Sequence, residues 1–552
     1  MKKKLKIACL QIEAKEYKDK DQTGKNILKM IDVASKGHPQ LMVLPEAAYP
    51  AYFLSPLIVK NVNEFYLSTL KLIEKIKRRA KKYHCYIALG FVENDLKEKK
   101  LYNAALLVNP EGKEISRTRK SFLWHFDSDW FSEGDNYPVV ETDIGKIGMF
   151  ICADGRLPEI PRCLCLKGAD ILLDLTNWVT GGFDEKNLTN PQAEYMIPVR
   201  ALENHVWIIA ANKVGMEANS ILYCGRSGVF TPRGETAKMA SSHKEEIVFY
   251  EIPLKFSKNK LVEHAINIKE DRRPELYSEL VHPTNNNPIY SIIQKKKSIP
   301  NVSLLTAIVQ IDSKNDIKDY LEKITYCIEN LMRQDVELIV FPENNFCFPE
   351  DGIEIIERIC KTIQNNTVMC AITVIEKLIK NYYKTTYLLN SGKIIGKYRK
   401  THLEVGEREL LTPGDLGLPV FKTSGGNIGV MLGYEGFFPE IARTLTLKGA
   451  DIIIWPSKFD NDQQLKISRS RSAENKIFIA CSNSISGKGN GHSLITSPSG
   501  NIMAACLKNK EQSNIASLYL QLSRNKNIVP HTDAILNRNP KSYQSLVKKK
   551  GK

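Results

Sequence analysis

The 552-residue chain is sparing with cysteine: it has twelve, forms no Cys-x-x-C pair, and sets Cys163 and Cys165 a single residue apart, too close for half of a zinc site. That usage excludes a disulfide scaffold. The apolar surroundings of Cys9, Cys85, Cys370 and Cys481 read as reduced core thiols in a reducing compartment. Glycine and proline are not inflated, which excludes collagen-like and low-complexity chains. No apolar run approaches the roughly 18–20 residues of a membrane span. The start, Met1-Lys2-Lys3-Lys4-Leu5, lacks the apolar stretch and cleavage site of a signal peptide. A soluble, cytoplasmic protein with no membrane partner is expected. Its net charge is +16, and lysines pile up at the N-terminus, at Lys295-Lys296-Lys297 and at Lys548-Lys549-Lys550-Gly551-Lys552. No aromatic residues interleave them, so solvated ends and a linker are expected rather than a nucleic-acid surface.

What the sequence does have is one unit written twice. Leu41-Met42-Val43-Leu44-Pro45-Glu46 resembles Leu338-Ile339-Val340-Phe341-Pro342-Glu343, and Arg119-Lys120 resembles Arg399-Lys400. Lys167-Gly168-Ala169-Asp170 recurs as Lys448-Gly449-Ala450-Asp451, and Arg272-Arg273-Pro274-Glu275-Leu276-Tyr277 as Arg538-Asn539-Pro540-Lys541-Ser542-Tyr543. The matches keep their order at a period far too long for a solenoid, so they mark a duplicated domain. The expected division is 1–282, a linker over 283–300 rich in Asn, Pro and Lys, and 301–552. In each copy, short apolar runs such as Ile7–Ile12, Tyr86–Phe91 and Ile147–Ile151 alternate with helical spacing, as over Asn63–Tyr83 and Pro158–Lys167. That alternation predicts an α/β layered fold.

Three residues of the first copy stand where strands end: Glu46, Lys120 and Cys152. Cys152 closes an apolar run and opens a polar turn, where an exposed sulfur near backbone N–H groups is expected to favour the thiolate; an inert buried thiol is the competing reading. A carboxylate such as Glu46 at the end of an apolar strand is costly unless paired or used, although a capping or salt-bridging role would also satisfy it. Lys120 lies in a basic run, where a solvated lysine is the default.

With their flanks, these residues resemble the nitrilase superfamily of carbon–nitrogen hydrolases. The resemblance rests on Leu-Pro-Glu46, Arg119-Lys120, Ile151-Cys152-x-Asp154-x-Arg156-x-Pro158-Glu159, Arg200-Ala201-x-Glu203-Asn204, Ala211-Asn212 and Gly225-x-Ser227. It implies a four-layer α-β-β-α sandwich in each copy and a Glu-Lys-Cys triad: Glu46 as general base, Cys152 as nucleophile, and Lys120 with the Ala153 N–H at the oxyanion. The implied reaction hydrolyses a non-peptide C–N bond of a small amide or N-carbamoyl compound and needs neither metal nor cofactor. The implied partner is the small-molecule substrate alone, and the duplication implies an intramolecular pseudo-dimer that could join further copies.

Each copy departs from the family pattern. The second keeps Glu343, Lys400 and, seven residues on, the family's second glutamate as Glu407, but Gly433 falls where Cys152 sits, so an inactive second copy is expected. In the first copy the second-glutamate slot holds Asp127, one methylene shorter and expected to fall about 1 Å short of its place. Glu133 is the candidate to stand in for it. Ala153-Asp154 after the nucleophile resembles amidases and N-carbamoyl amidohydrolases rather than nitrile-cleaving relatives. Arg156 could clamp a substrate carboxylate or bond its own turn, and Trp178 could wall a pocket or be ordinary core. The reading from another function class is a binding or scaffold protein that keeps the fold without turnover.

Overall fold

The computed structural model describes residues 4–55, 59, 62–253, 261–262, 266–267, 270–295, 302–312, 316–344, 348–487 and 489–548. They form two compact units. The first contains two six-to-eight-stranded sheets. One runs in the order β11 (Ile221–Cys224), β10 (Lys213–Glu217), β1 (Leu5–Glu13), β2 (Leu41–Val43), β3 (Tyr86–Asp95), β4 (Lys100–Val108), β5 (Glu114–Arg119), with β14 (Glu246–Ile252) also beside β1. The other runs β13 (Thr236–Met239), β12 (Gly228–Phe230), β9 (Trp207–Ala211), β8 (Ile171–Leu175), β7 (Gly145–Ile151), β6 (Val139–Thr142). Central β1 changes neighbour along its length. Leu5–Gln11 pair antiparallel with β14, whereas Ile12 and Glu13 pair parallel with β10.

Side-chain alternation sorts the layers. Ala8, Leu10 and Ile12 point to one face of β1 and pack with Ile27 and Ile31 of α1 (Lys20–Ser35) and Ile73 and Ile76 of α2 (Val62–Tyr83). Cys9 points the other way, its thiol directed at the Gly228 carbonyl of the second sheet. The far side of that sheet carries α3 (Glu159–Leu166) and α4 (Ile197–Asn204). The unit is therefore a helix-sheet-sheet-helix sandwich. Parallel strands covered on both faces favour apolar side chains throughout, and β7 to β9 are mostly apolar, with Asp174 of β8 the buried exception. The second unit repeats the plan with sheets Lys393–Arg399, Asn381–Asn390, Met369–Leu378, Leu338–Glu343, Ser303–Gln310, Gln512–Tyr519 and Val420–Thr423, Gly426–Val430, Ile452–Ser457, Phe478–Asn483, Leu494–Thr496, Ile502–Ala505. The hairpin β10–β11 has no strand counterpart there among the described residues.

The compact units are not the contiguous stretches of the repeat. The first takes in Val529–Thr532 and Asn537–Leu546, while the second begins at Glu263. Buried ion pairs account for the exchange. Arg538, which follows the second copy, pairs with Glu159 at the start of α3, Nε to Oε1 at 2.9 Å. Arg272, which follows the first, makes the equivalent 2.8 Å pair with Glu440 in the second unit. Tyr277 adds a 2.7 Å hydrogen bond to His402 there. The stretch read as a linker also holds structure: Pro288–Gln294 is a helix that starts on proline, buries Ile289, and ends next to residues 296–300, which lie outside the described residues. All recorded cysteines are free, and most are buried.

Removing one member of a buried ion pair strands its partner, at a cost of about 3–5 kcal/mol. Arg538→Met should therefore lower the unfolding free energy of the first unit by that order, and adding Glu159→Met should restore most of it. Chemical denaturation followed by tryptophan fluorescence reads both.

Candidate active site

Glu46 follows β2 on a turn whose next residue, Ala47, has φ +37°. The side chain is wholly buried, and Oε1 accepts both Asn103 Nδ2 and Lys120 Nζ at 2.7 Å. Oε2 has no hydrogen-bond partner. Lys120 closes β5, with its backbone held on both sides: its N–H donates to the Asn103 carbonyl, and its own carbonyl accepts the Gly134 N–H, each at 2.8 Å. Its ammonium also donates to Asp127 Oδ2 at 2.6 Å. Asp127 thus reaches the lysine without the expected shortfall. It sits in a short helical turn, His125–Asp129, and the same oxygen accepts the Trp124 N–H at 3.0 Å. The turn is tied down by His125 N–H donating to Thr532 Oγ1 at 2.7 Å. Glu133 is solvent-exposed, so the acid that touches Lys120 is Asp127.

One buried ammonium between two buried carboxylates leaves an excess negative charge in a low dielectric. Burial pushes the Glu46 carboxyl above its ordinary value; Lys120 opposes this and Asp127 reinforces it. Burial alone would pull the Lys120 ammonium down, but Asp127 and Glu46 outweigh it and hold it well above the usual lysine range.

Cys152 opens a turn, Cys152–Arg156, with φ +47°. Asp154 binds this turn to the lysine loop, its carboxylate accepting the N–H groups of Ile151, Ser121 and Phe122 at 3.1, 3.1 and 2.8 Å. Burial still pushes its acid up to about 6. The exposed thiolate expected of the sequence is not what the fold presents. Cys152 is only 7% exposed. Burial, aided by the Glu46 charge and opposed by Lys120, pushes its thiol well above the ordinary cysteine value. The polar turn did not bring solvent with it, so the resting group is a thiol that needs a base.

Ala153 is buried beside it. The Arg156 guanidinium lies 4.6 Å from the Trp124 ring centre, is 8% exposed, and has no ion-pair or hydrogen-bond partner among the described residues. The turn's carbonyls are taken by Arg200 instead, at 3.0 Å from Gly155 and 3.4 Å from Arg156. Trp178 is buried, its indole donating to the Gln192 side-chain oxygen at 3.1 Å while the Gln192 NH2 donates to the Cys152 carbonyl at 3.0 Å.

Several residues of this site escape a reading by motif. Asn103 and Asp174 are polar groups inside apolar strands, which is itself a signal. Lys213 and Glu217 lie on β10: Lys213 Nζ donates to the Ala47 carbonyl at 3.0 Å, and Glu217 Oε1 accepts the Tyr52 and Phe53 N–H groups at 2.8 and 2.7 Å. They hold the segment after Glu46. No strand spacing announces them.

In the second unit the turn survives without its nucleophile: Gly433 has φ +49°. A Cβ there would lie 2.5 Å from Glu343 Oε1 and 2.9 Å from Lys400 Nζ, which shows where the missing thiol would point. Lys384 occupies the position of Asn103 and bonds Glu343 and Glu407 at 2.9 and 2.5 Å. Lys400 pairs with Glu407 at 2.8 Å.

The chain matches the carbon–nitrogen hydrolase family over residues 6–259 and again over 305–526. It belongs to that family, in two copies. It is 32% identical to a nitrilase of Pyrococcus abyssi over 279 residues, 50% of this chain and 99% of the relative. It is 29% identical to an omega-amidase of Xenopus tropicalis over 262 residues, 45% of this chain and 89% of the relative. An amidase from Nesterenkonia sp. is similar in structure, with TM-score 0.41 and 20% identity over 47% of this chain and 94% of the amidase. Each relative thus has the length of one copy.

Two outcomes follow for the carbon–nitrogen hydrolase sites. At pH about 8.5, where a free cysteine is half ionised, Cys152→Ala should remove no thiolate absorbance from the native protein; a Cys152-dependent signal there would contradict the raised thiol. Gly433→Cys in a Cys152→Ala background should release no ammonia from amides, because a Cβ at 433 would fall 2.5 Å from Glu343 Oε1 and displace the base such a thiol would need.

Proposed function

We propose that the first copy hydrolyses a small amide or N-carbamoyl compound through a Cys152 thioester and that the second copy is catalytically silent. The observation that carries this reading is the gathering, in one buried site, of a turn-borne thiol, a carboxylate with one free oxygen, and a lysine fixed by two acids. Glu46 Oε2 takes the thiol proton as sulfur attacks the carbonyl carbon, forming the C–S bond and moving the π pair onto oxygen. Lys120 and the Ala153 N–H stabilise that oxyanion. The oxyanion collapses, the C–N bond breaks, and protonated Glu46 gives its proton to the departing nitrogen. Water, deprotonated by Glu46, then attacks the thioester, and sulfur leaves with the proton that Glu46 returns. The sum is amide plus water giving acid plus ammonia or an amine.

Arg156 narrows the substrate. A nearly buried guanidinium stacked on Trp124 and free of protein anions favours an amide that bears a carboxylate at its far end, such as an ω-amide of a dicarboxylic acid or an N-carbamoyl amino acid. The omega-amidase among the relatives supports the first of these.

Ammonia release from ω-amides, N-carbamoyl amino acids and neutral amides tests the proposal. Wild type should act on the carboxylate-bearing compounds, Cys152→Ala on none, and Glu46→Gln should lose at least about 100-fold. Arg156→Ala should raise KM for those compounds and leave neutral amides unchanged. Glu46 must be ionised to act, and its carboxyl is raised above 4.5. Activity should therefore fall with decreasing pH through an apparent value above 4.5 that belongs to the Glu46–Lys120–Asp127 cluster as a whole. No release from any compound, together with no covalent adduct on Cys152, would favour the binding or scaffold reading instead.

A further inference from the structure

The triad leaves one buried acid of the first unit without a role. Asp174 is the next-to-last residue of β8, completely buried and flanked along the strand by Leu173 and Leu175. Its Oδ1 accepts the Cys152 N–H at 3.1 Å, and its Oδ2 has no hydrogen-bond partner. No cation pairs with it among the described residues. An uncompensated charge at such a place is costly. Burial pushes the carboxyl well above the usual range, and the Glu46 and Asp154 charges add to that. Among the described residues its one side-chain hydrogen bond is to the nucleophile's own amide.

That amide belongs to a residue under strain, since Cys152 holds φ +47° with a side chain attached. The second copy supplies a comparison within the chain. In the first, Ile147, Gly148, Met149 and Phe150 lie opposite Ile171, Leu172, Leu173 and Asp174. In the second, Ile428, Gly429 and Val430 lie opposite Ile452, Ile453 and Ile454, so that the next residue, Trp455, occupies the place of Asp174. There the turn residue is glycine, which takes positive φ without penalty. The Trp455 indole donates to the Gly433 carbonyl at 2.7 Å, and among the described residues no side-chain acceptor replaces the aspartate. Cysteine goes with aspartate, and glycine with tryptophan.

We infer that Asp174 is the positioning residue of the nucleophile: it holds the left-handed Cys152 peptide by its N–H and so sets where the sulfur and the Ala153 N–H point. The inference rests on the reading of Cys152 as nucleophile. Its test uses alkylation of Cys152 by iodoacetamide, located by peptide mass mapping, in the full-length chain. Asp174→Asn keeps an uncharged oxygen acceptor, whereas Asp174→Leu and Asp174→Val remove it from an aliphatic strand. Asp174→Asn should be alkylated within about threefold of wild type, and the two aliphatic variants about tenfold more slowly, the effect of one lost hydrogen bond. Their thermal midpoints should match or exceed wild type, because a buried unpaired oxygen has been removed. Wild-type rates in a folded aliphatic variant, or Asp174→Asn as slow as either, would overturn the inference alone. Failure of wild type to be alkylated at Cys152 would overturn the nucleophile assignment and this inference with it.

Discussion

The first site depends on a single shared ammonium. Among the described residues Lys120 is the one cation bonded to Glu46 and Asp127, and none of the three side chains reaches solvent. Without it, two carboxylates would face each other in a medium that cannot screen them. With it, one acid is held as a fixed counter-charge and the other keeps a free oxygen with raised proton affinity. The strand ends, the Asp127 turn and the segment after β2 all converge on this lysine. The Lys120 N–H and carbonyl are both hydrogen-bonded, which fixes the backbone that carries the ammonium.

The second unit differs from the first at several positions around this cluster. Glycine replaces the thiol, Lys384 replaces Asn103, and Trp455 replaces Asp174. The lysine introduced beside Glu343 pairs directly with that carboxylate, where the first unit has the neutral Asn103 amide on Glu46. What remains is an ion cluster of two lysines and three glutamates, Glu343, Glu404 and Glu407, inside an intact fold. The backbone turn at Gly433 persists because its geometry is set by the surrounding sandwich and does not require the chemistry it once presented.

Much of this was legible in the sequence. Glu46 and Cys152 sit where short apolar runs end, Lys120 follows an extended polar segment, and the paired motifs announced a duplicated layered fold. Apolar runs report burial on both faces of a sheet, which is a local property. The parts that escaped are those set by distance along the chain. Composition could not say that the Cys152 turn is dry, because its burial comes from side chains gathered from elsewhere. The reach of Asp127 depends on a helical turn, not on side-chain length. A lone aspartate in Ile171–Leu175 gives a hint of trouble in a strand but does not name the amide it serves.

The exchanged ends give the chain an order in time. Glu159, at the head of the helix behind the nucleophile, finds its arginine 379 residues later. At roughly 5–20 residues per second, synthesis separates the two by about 20–75 s. For that interval the ion pair with Arg538 is still unmade, although the helix that carries Glu159 has already left the ribosome.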